Sequence, residues 1–223
     1  MVFSSSRESA PRGAKFFTVG LEADSPRALP MPRAHRGEHS PDGTRFAYQM
    51  VSPWEDEFRN YRGGQNRPVW ILDLDDYPLE TPPWDGSNDI DPVWLGDEVY
   101  FLSDRDWAMN VWAYDTRTKQ LRQVTTFRDY DVKNLDAGGG VLVFEQAGMI
   151  HLYDPAEGRS RPVDIRVAGD FPWAMPRWES VADRLTNARL SPTGKRAVFE
   201  ARGEIFTVPA EEGAWRNLTN SPG

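Results

Sequence analysis

Three histidines are the side chains in this sequence best suited to proton transfer or metal binding, because imidazole titrates near neutral pH. His35 and His39 stand four residues apart in HRGEH, a spacing that on a helix places two zinc ligands on one face around Glu38. Gly37 interrupts the motif and a turn sequence, SPDG, follows at once, so we predict loop histidines and no metal site. His151 lies in an apolar run, where we predict a hydrogen-bonded or solvent-facing side chain on a strand.

Carboxylates cluster in WEDEF (54–58), LDLDD (72–76) and SDRD (103–106). Two carboxylates can hydrolyse a glycoside when a cleft holds them opposite each other, but sequence neighbours on a turn rarely point into one site. The sequence has no Gly-x-Ser-x-Gly nucleophile elbow, and its lack of cysteine excludes thiol catalysis, disulfides and thiolate metal sites. We therefore predict no catalytic residue and no cofactor in this chain.

Three further aspartates, Asp73, Asp115 and Asp154, recur at one place in a repeated pattern, directly before a turn. Aspartate favours such positions because its carboxylate accepts hydrogen bonds from nearby backbone amides. We predict that these side chains stabilise turns.

The stretch SPWEDEFRNYRGGQNRP, residues 52–68, is an insertion where the other repeats have a short hairpin. Long loops on a rigid sheet scaffold commonly carry binding function. Trp54, Arg59, Tyr61 and Arg62 can contact a peptide through ring stacking and carboxylate pairing, and we predict them as peptide contacts. The alternative is a loop that only packs over its sheet.

The secondary structure that positions these residues can be predicted from a sequence pattern that occurs twice. Its copies are SPDGTRFAY at 40–48 and SPTGKRAVF at 191–199. Proline suits the second position of a type I turn and glycine the fourth, and the apolar run that follows predicts a strand buried on both faces. Gly96 and Gly139 precede equivalent runs. The third residue of each run is aromatic: Tyr48, Phe101, Phe144 and Phe199.

Each of these runs is followed by another apolar strand, such as VWAYD at 111–115, and then by a more polar strand, such as LRQVT at 121–125. An entering segment such as DPVWL at 91–95 completes four short antiparallel strands per repeat. Four strands every 40 to 50 residues are typical of β-propeller blades. We predict an all-β fold of propeller blades, each a four-stranded antiparallel sheet, in preference to unrelated hairpins in a β-sandwich.

Composition limits the partners. Of the 223 residues, 39% are hydrophobic, and 26 basic against 34 acidic residues give a formal charge of −8, so we expect no nucleic-acid partner. The sequence has no apolar stretch near the roughly 20 residues of a membrane helix, and its first 17 residues lack the apolar core of a secretory signal. We expect no membrane partner and a cytoplasmic location, with export left open if the true N-terminus lies upstream of Met1.

Both ends of the chain predict a fragment of a longer polypeptide. FFTVGLEADSPRAL, residues 16–29, matches the second and third strands of a blade with the first strands missing, and the sequence stops just after a third strand. Residues 166–188 break the repeat and contain two prolines and two tryptophans, so we predict a crossover there between a first propeller region, 1–165, and a second, 189–223.

An ordered series of motifs resembles the propeller region of tricorn proteases, from about residue 40 to the end. The series is NYRGGQNRPVWILDLD, DPVWLGDEVYFLSDRDWAMNVWAYD, LRQVTTFRDYDVKNLDAGGGVLVFEQAGMIHLYDP and LSPTGKRAVFEARGEIFTVPAEEG. The resemblance implies that 1–165 is part of a six-bladed propeller and that a seven-bladed one starts after the crossover. It also implies a large serine protease whose catalytic Ser, His and Glu lie in a C-terminal core that this chain does not contain.

The same resemblance implies the partners: peptides released by the proteasome or similar machines, the C-terminal catalytic core of the same polypeptide, and other copies in a homo-oligomer. The propellers are expected to act as channels, filters or scaffolds. Two alternatives stay open at this point. One is a binding module like the propeller of periplasmic TolB, which has similar SPDG repeats, and the other is the propeller of a prolyl-oligopeptidase-type hydrolase.

Overall fold

Strands dominate the computed structural model, which describes residues 1–9, 13–22, 25–50, 60–175 and 177–219. The first strands are β1 Val2–Ser5, β2 Lys15–Thr18, β3 Arg27–Ala28, β4 Arg36–His39, β5 Arg45–Gln49, β6 Trp70–Asp73, β7 Leu79–Glu80, β8 Asp89–Leu95, β9 Glu98–Ser103 and β10 Asn110–Asp115. The others are β11 Leu121–Gln123, β12 Val132–Gly138, β13 Val141–Gln146, β14 Met149–Asp154, β15 Arg159–Pro162, β16 Leu185–Leu190, β17 Arg196–Ala201, β18 Glu204–Pro209 and β19 Arg216–Asn217. Two short 3-10 helices, Pro172–Ala174 and Ala182–Arg184, precede β16. Within these ranges the structure contains no helix long and apolar enough for a membrane span.

Four sheets have the predicted form, with four sequential antiparallel strands each: β4 to β7, β8 to β11, β12 to β15 and β16 to β19. The four glycine-led runs form β5, β9, β13 and β17, and each is the second strand of its sheet. The predicted all-β fold of blade-like sheets is therefore confirmed. The chain divides into two compact units, 1–165 and 166–223, which are described separately.

The turns before β5 and β17 are built as their sequences predict. The amide of Gly43 donates to the carbonyl of Ser40 at 2.8 Å, and Gly194 donates to Ser191 at 2.9 Å. Both glycines have a positive φ, +74° and +71°, which a residue with a side chain adopts only with strain. The same turn chemistry thus connects the first and second strands of two sheets, about 150 residues apart in the sequence.

In the first unit, aromatic pairs fill the space between sheets. Each pair joins a second strand to a third strand across the ladder: Tyr48 with Trp70, Phe101 with Trp112, and Phe144 with His151. Tyr48, Phe101 and Phe144 are at most 2% exposed. Burial of side chains this large is the main source of stability for stacked sheets.

In the first unit, β8 lies between β4 and β12, so the first strands of three sheets are neighbours. β8 and β12 carry β-bulges between Ile90 and Val93 and between Lys133 and Asp136. Each bulge contains a residue with a left-handed backbone, Asp91 at φ 52° in β8 and Asn134 at φ 54° in β12. In the second unit, β16 has a similar bulge at Asn187, with φ 52°. Asn and Asp adopt this conformation more readily than other residues with side chains.

The N-terminal sheet corrects one prediction. We expected the strands before Phe16 to be missing from this blade, but one strand is present: β1 pairs with β2 from Val2–Thr18 to Ser5–Lys15, and the described residues form a three-stranded sheet in the order β1-β2-β3. Its sequence, VFSS, is short and half polar, and no turn glycine precedes it, so the pattern used for the other sheets could not detect it.

In the second unit, β16 begins at Leu185, inside the stretch 166–188 that the sequence assigned to a crossover. The segment before β16 packs on its own sheet: the rings of Trp178 and Trp215 lie 6.1 Å apart, and Glu179 pairs with Arg202.

Candidate functional site

The predicted peptide contacts divide into two pairs. Trp54 and Arg59 lie outside the described residues, while Tyr61 and Arg62 lie in the segment that returns from the insertion to β6. Tyr61 is partly buried, and Arg62 is exposed. Their role as peptide contacts stays a prediction, but the structure shows what holds them in place.

Asp104, directly after β9, is fully buried, and its carboxylate accepts three hydrogen bonds and forms one ion pair with residues of two other loops. Its Oδ2 accepts from the amide of Asn60 at 2.7 Å and from Nδ2 of Asn88 at 2.8 Å. Its Oδ1 accepts from the amide of Asn88 at 2.9 Å and pairs with the guanidinium of Arg62 at 3.0 Å. A buried carboxylate is stable only when its charge is compensated in this way.

A second buried carboxylate, Asp89, lies at the start of β8. Its Oδ1 accepts from the hydroxyls of Ser87 at 2.8 Å and Ser103 at 2.6 Å, and its Oδ2 pairs with Arg105 at 2.7 Å. Burial raises the pKa of the Asp89 carboxyl, and the positive charge of Arg105 opposes that shift. Arg105 also lies 5.0 Å above the ring of Trp112, so it ties this polar group to the core.

These contacts join three segments, 60–67, 83–89 and 103–107, which we call the anchored loops. Nδ2 of Asn66 donates to the carbonyls of Tyr61 and, at 2.8 Å, of Gly86. The segments are the connections β5–β6, β7–β8 and β9–β10, and successive antiparallel strands bring these connections to the same edge of their sheets. The insertion therefore returns to a rigid support.

The first strands enclose a separate cavity of about 470 Å³, which we call the first-strand cleft. Residues of β4, β8 and β12 line it: Arg36, Gly37, Glu38, Asp91, Pro92, Val93, Asn134, Leu135 and Asp136. Arg36 pairs with Asp91 at 2.6 Å, so its charge is compensated within the cleft. Oε2 of Glu38 accepts from the amide of Trp94 at 2.9 Å, and burial raises the pKa of this carboxyl, with a smaller contribution from the charge of Asp136.

Two of the three histidines, His39 and His151, pack against aromatic rings of their sheets. His39 belongs to β4, not to a loop as predicted, because the SPDG turn closes a hairpin that pairs His39 with Phe46. The two rings lie 4.7 Å apart, and burial lowers the pKa of His39. His151 is 9% exposed and stacks on Phe144 at 5.5 Å, so the solvent-facing alternative is wrong. Among the described residues, no group of three or more His, Asp or Glu is placed to hold a metal ion.

The turn aspartates behave as predicted. Oδ1 of Asp73, Asp115 and Asp154 accepts from the backbone amide two residues further on, at 2.9, 2.7 and 2.8 Å. Hydrogen bonds from these backbone amides hold the pKa of Asp115 below its ordinary value. These carboxylates stabilise turns.

Sequence reasoning missed the anchoring roles of Asp89 and Asp104, because all of their partners except Ser87 are 14 to 44 residues away. One signal was present: each stands at the end of a strand whose interior is apolar, in NDIDPVW and YFLSDRD. A polar residue at the end of a buried run must find partners or remain in water.

Comparison with known proteins extends these observations. The family described as tricorn protease N-terminal beta propeller domain matches residues 1–159. The tricorn protease homolog of Saccharolobus solfataricus is 29% identical over 166 residues, which are 74% of this chain and 15% of that protein. The tricorn protease of Thermoplasma acidophilum is 25% identical over 149 residues, 67% of this chain and 14% of that protein.

The chain thus spans about a seventh of the length of these curated relatives. Among solved structures, TolB from Acinetobacter baumannii superimposes with a TM-score of 0.52 at 15% identity, covering 93% of this chain and 50% of that one. A likeness at this identity concerns the fold alone.

Proposed function

The chain belongs to the family of tricorn protease N-terminal β-propeller domains, and on this premise we propose that it is the non-catalytic propeller portion of a tricorn-like serine protease that degrades peptides. In this role it acts as a channel, filter or scaffold for a catalytic core elsewhere in the polypeptide. The observation that carries the proposal is the family match over 159 residues, which covers strands β1 to β14 of the first unit.

The geometry of the first unit supports passage of peptides. A cleft of about 470 Å³ lies where three first strands meet, a volume within the range of ligand-binding pockets, and both charged and apolar side chains line it. The anchored loops offer a second, rigid surface at one edge of the sheets. We propose peptide substrates and the catalytic core as partners, a homo-oligomeric assembly, and a cytoplasmic location.

We propose further that residues 1–165 belong to a six-bladed propeller, that 166–188 cross over, and that 189–223 open a second, seven-bladed one. The division into two compact units after Ile165 supports the first boundary. β16 begins at Leu185, within the last residues of the proposed crossover.

A fluorogenic peptide assay tests the non-catalytic role. The purified 223-residue chain is incubated with fluorogenic tri- and tetrapeptides, and we expect no hydrolysis, because acyl transfer needs an activated nucleophile, a base and oxyanion donors in one place. The full-length protein should hydrolyse the same peptides. Turnover by the chain that survives repurification and simultaneous alanine substitution of His35, His39 and His151 refutes the proposal.

The TolB-like alternative makes the chain part of a binding module, and likeness of fold is what favours it. A full-length protein that ends soon after blade closure and hydrolyses no peptide supports that alternative. A Gly-x-Ser-x-Gly motif downstream supports a prolyl-oligopeptidase-type hydrolase instead.

A further inference from the structure

The N-terminal sheet differs from the other four sheets at its first position. Each of the other sheets has four strands, and its glycine-led strand, β5, β9, β13 or β17, lies between a first and a third strand. The N-terminal sheet has the order β1-β2-β3, and in the part of the chain that the structure describes no strand pairs with the outer edge of β1. β2 is apolar and β3 is short and exposed, like the third and fourth strands elsewhere. β1 therefore takes the second position, and its outer edge faces the first.

The backbone of β1 determines which groups this edge presents. The amide of Val19 donates to the carbonyl of Met1, and the amino group of Met1 donates to the carbonyl of Val19, both at 3.0 Å. In an antiparallel ladder, pairs that exchange both bonds alternate with pairs that exchange none. Phe3 therefore bonds to β2, whereas the amide and carbonyl groups of Val2 and Ser4 point away from it.

The side chains of β1 are packed on both faces of the sheet, so its edge is the part that remains open. Val2 packs against the apolar cluster that includes Phe46 of the next sheet. On the opposite face the rings of Phe3 and Phe17 stack at 5.8 Å, and the guanidinium of Arg7 lies 5.2 Å from the centre of the Phe17 ring. A packed strand with outward backbone groups is a template for pairing with another strand.

The other sheets show what fills the first position. β4, β8 and β12 are neighbours, and each pairs antiparallel with the glycine-led strand of its sheet. The N-terminal sheet packs against the sheet β4 to β7, so a strand on the edge of β1 would continue this series beside β4.

The first strands also share a residue type near the middle. Three of them have a left-handed Asn or Asp there: Asp91, Asn134 and Asn187. β4 has Gly37, where a Cβ would come 2.5 Å from the carbonyl of Ala47. A strand that fills the same position beside β1 should therefore contain Asn, Asp or Gly near its middle.

We propose that the edge of β1 accepts a strand of the same polypeptide from outside residues 1–223, which pairs antiparallel with Val2 and Ser4 and gives the sheet its fourth strand. In each of the other four sheets, a strand of the chain itself occupies this position, which favours the same polypeptide over a bound peptide or a second copy. The chain spans about a seventh of its curated relatives, so a protein of that length has further segments that can supply the strand. The inference goes beyond the proposed function and does not require peptide hydrolysis.

Hydrogen exchange of the full-length protein, resolved to single residues by mass spectrometry, tests whether the edge is paired. We expect the amide of Ser4 to be protected to within about tenfold of the amides of Phe3 and Ser5, because both edges of β1 are then bonded. Phe3 and Ser5 are the internal controls, since their amides point towards β2. Exchange at Ser4 that is more than about tenfold faster than at the controls overturns the proposal. Loss of protection at all three residues overturns it too, because β1 would then not belong to a sheet.

Photo-crosslinking of the full-length protein identifies the strand. Ser4 is exposed, and Ser4→p-benzoylphenylalanine places a reactive side chain beside the edge. Arg27→p-benzoylphenylalanine is the matched control, because Arg27 is exposed on β3 at the opposite edge of the same sheet. We expect position 4, but not position 27, to crosslink within one polypeptide to a segment outside residues 1–223 that contains Asn, Asp or Gly. Crosslinks only to residues 1–223, to a second, isotopically labelled copy or to an added peptide, or no crosslink at all, overturn the assigned partner.

Discussion

The sheet β8 to β11 and the sheet β16 to β19 are built from the same pattern and buried to very different extents. In the first, Phe101 is completely buried, and residues of this sheet contribute to two apolar clusters, one shared with β5 and β6 and the other with β12 to β14. In the second, the equivalent Phe199 is partly exposed. Several large apolar side chains of the second unit are more than a third exposed: Leu185, Leu190, Ile205, Val208 and Trp215.

The difference separates what makes a sheet from what stabilises it. Turn glycines and the antiparallel ladder are local, so they recur in both units with the same geometry. Burial depends on neighbouring sheets, which the first unit supplies on both sides of β8 to β11. Stability should therefore follow the number of covered faces even where the repeat sequence is equally good.

The largest expected effect is a direct comparison of the two equivalent aromatic residues. Phe101→Ala should lower the free energy of unfolding of the first unit by about 4 kcal/mol, because it removes a fully buried ring and leaves a cavity. Phe199→Ala should cost the second unit less than about half of that. Hydrogen exchange resolved by strand, in β9 and β17, measures both losses, and equal losses would mean that burial does not distinguish the units.

The hairpins that follow β9 and β17 offer the next comparison. The first is a long loop anchored through Asp104, while the second is a tight turn at Arg202 and Gly203 with positive φ at both residues. Asp104→Ala should cost about 3 kcal/mol, because it leaves the Arg62 charge and buried amides without their partner. Arg202→Asn should change stability only slightly, since Asn suits a left-handed turn position and the ion pair with Glu179 that it removes is open to solvent. Urea unfolding monitored by circular dichroism measures both, and a neutral Asp104→Ala contradicts the anchoring.

A third comparison should show no difference between the units. Asn134 in β12 and Asn187 in β16 both have left-handed backbones at a bulge, and each donates a hydrogen bond to a glutamate of the next strand, Glu145 or Glu200. Valine at either position should cost about 1 to 2 kcal/mol because the strain is local, and glycine should cost clearly less. Thermal unfolding of the four variants checks this. A cost confined to one unit would show that the bulge depends on packing.

The smallest expected effect is on stability at acidic pH. Three hydrogen bonds from Ser40 and Thr44 lower the pKa of Asp42 from its ordinary value of 3.8 to about 2, whereas Thr193 occupies this place in the second copy of the turn. A lowered pKa means that Asp42 contributes stability above its unfolded pKa and loses it as the pH falls from about 4 towards 2. NMR titration of Asp42 should give this low pKa, and Asp42→Thr should remove that part of the acid sensitivity. A midpoint near 3.8 contradicts the turn geometry.

The sequence predicted those features that arise locally. Gly43 and Gly194 identified turns, the aromatic residues after them identified second strands, and Asp115 identified a hairpin end. The anchoring by Asp104 could not be predicted, because it depends on which loops meet at one edge of the sheets. The sequence assigned the start of β16 to the crossover. All six residues of this strand are exposed, and its sequence has no alternation of apolar and polar residues that would predict a strand.

The proposed filter is tested most directly by comparing long and short peptides. The ratio of kcat/KM for a tripeptide to that for a twelve-residue peptide is measured for the full-length protein and for a form without residues 1–165. Hydrolysis of the tripeptide by the shortened form shows that its catalytic core is folded. If the propeller restricts access, the ratio should fall at least tenfold when it is removed, and an unchanged ratio would contradict the account.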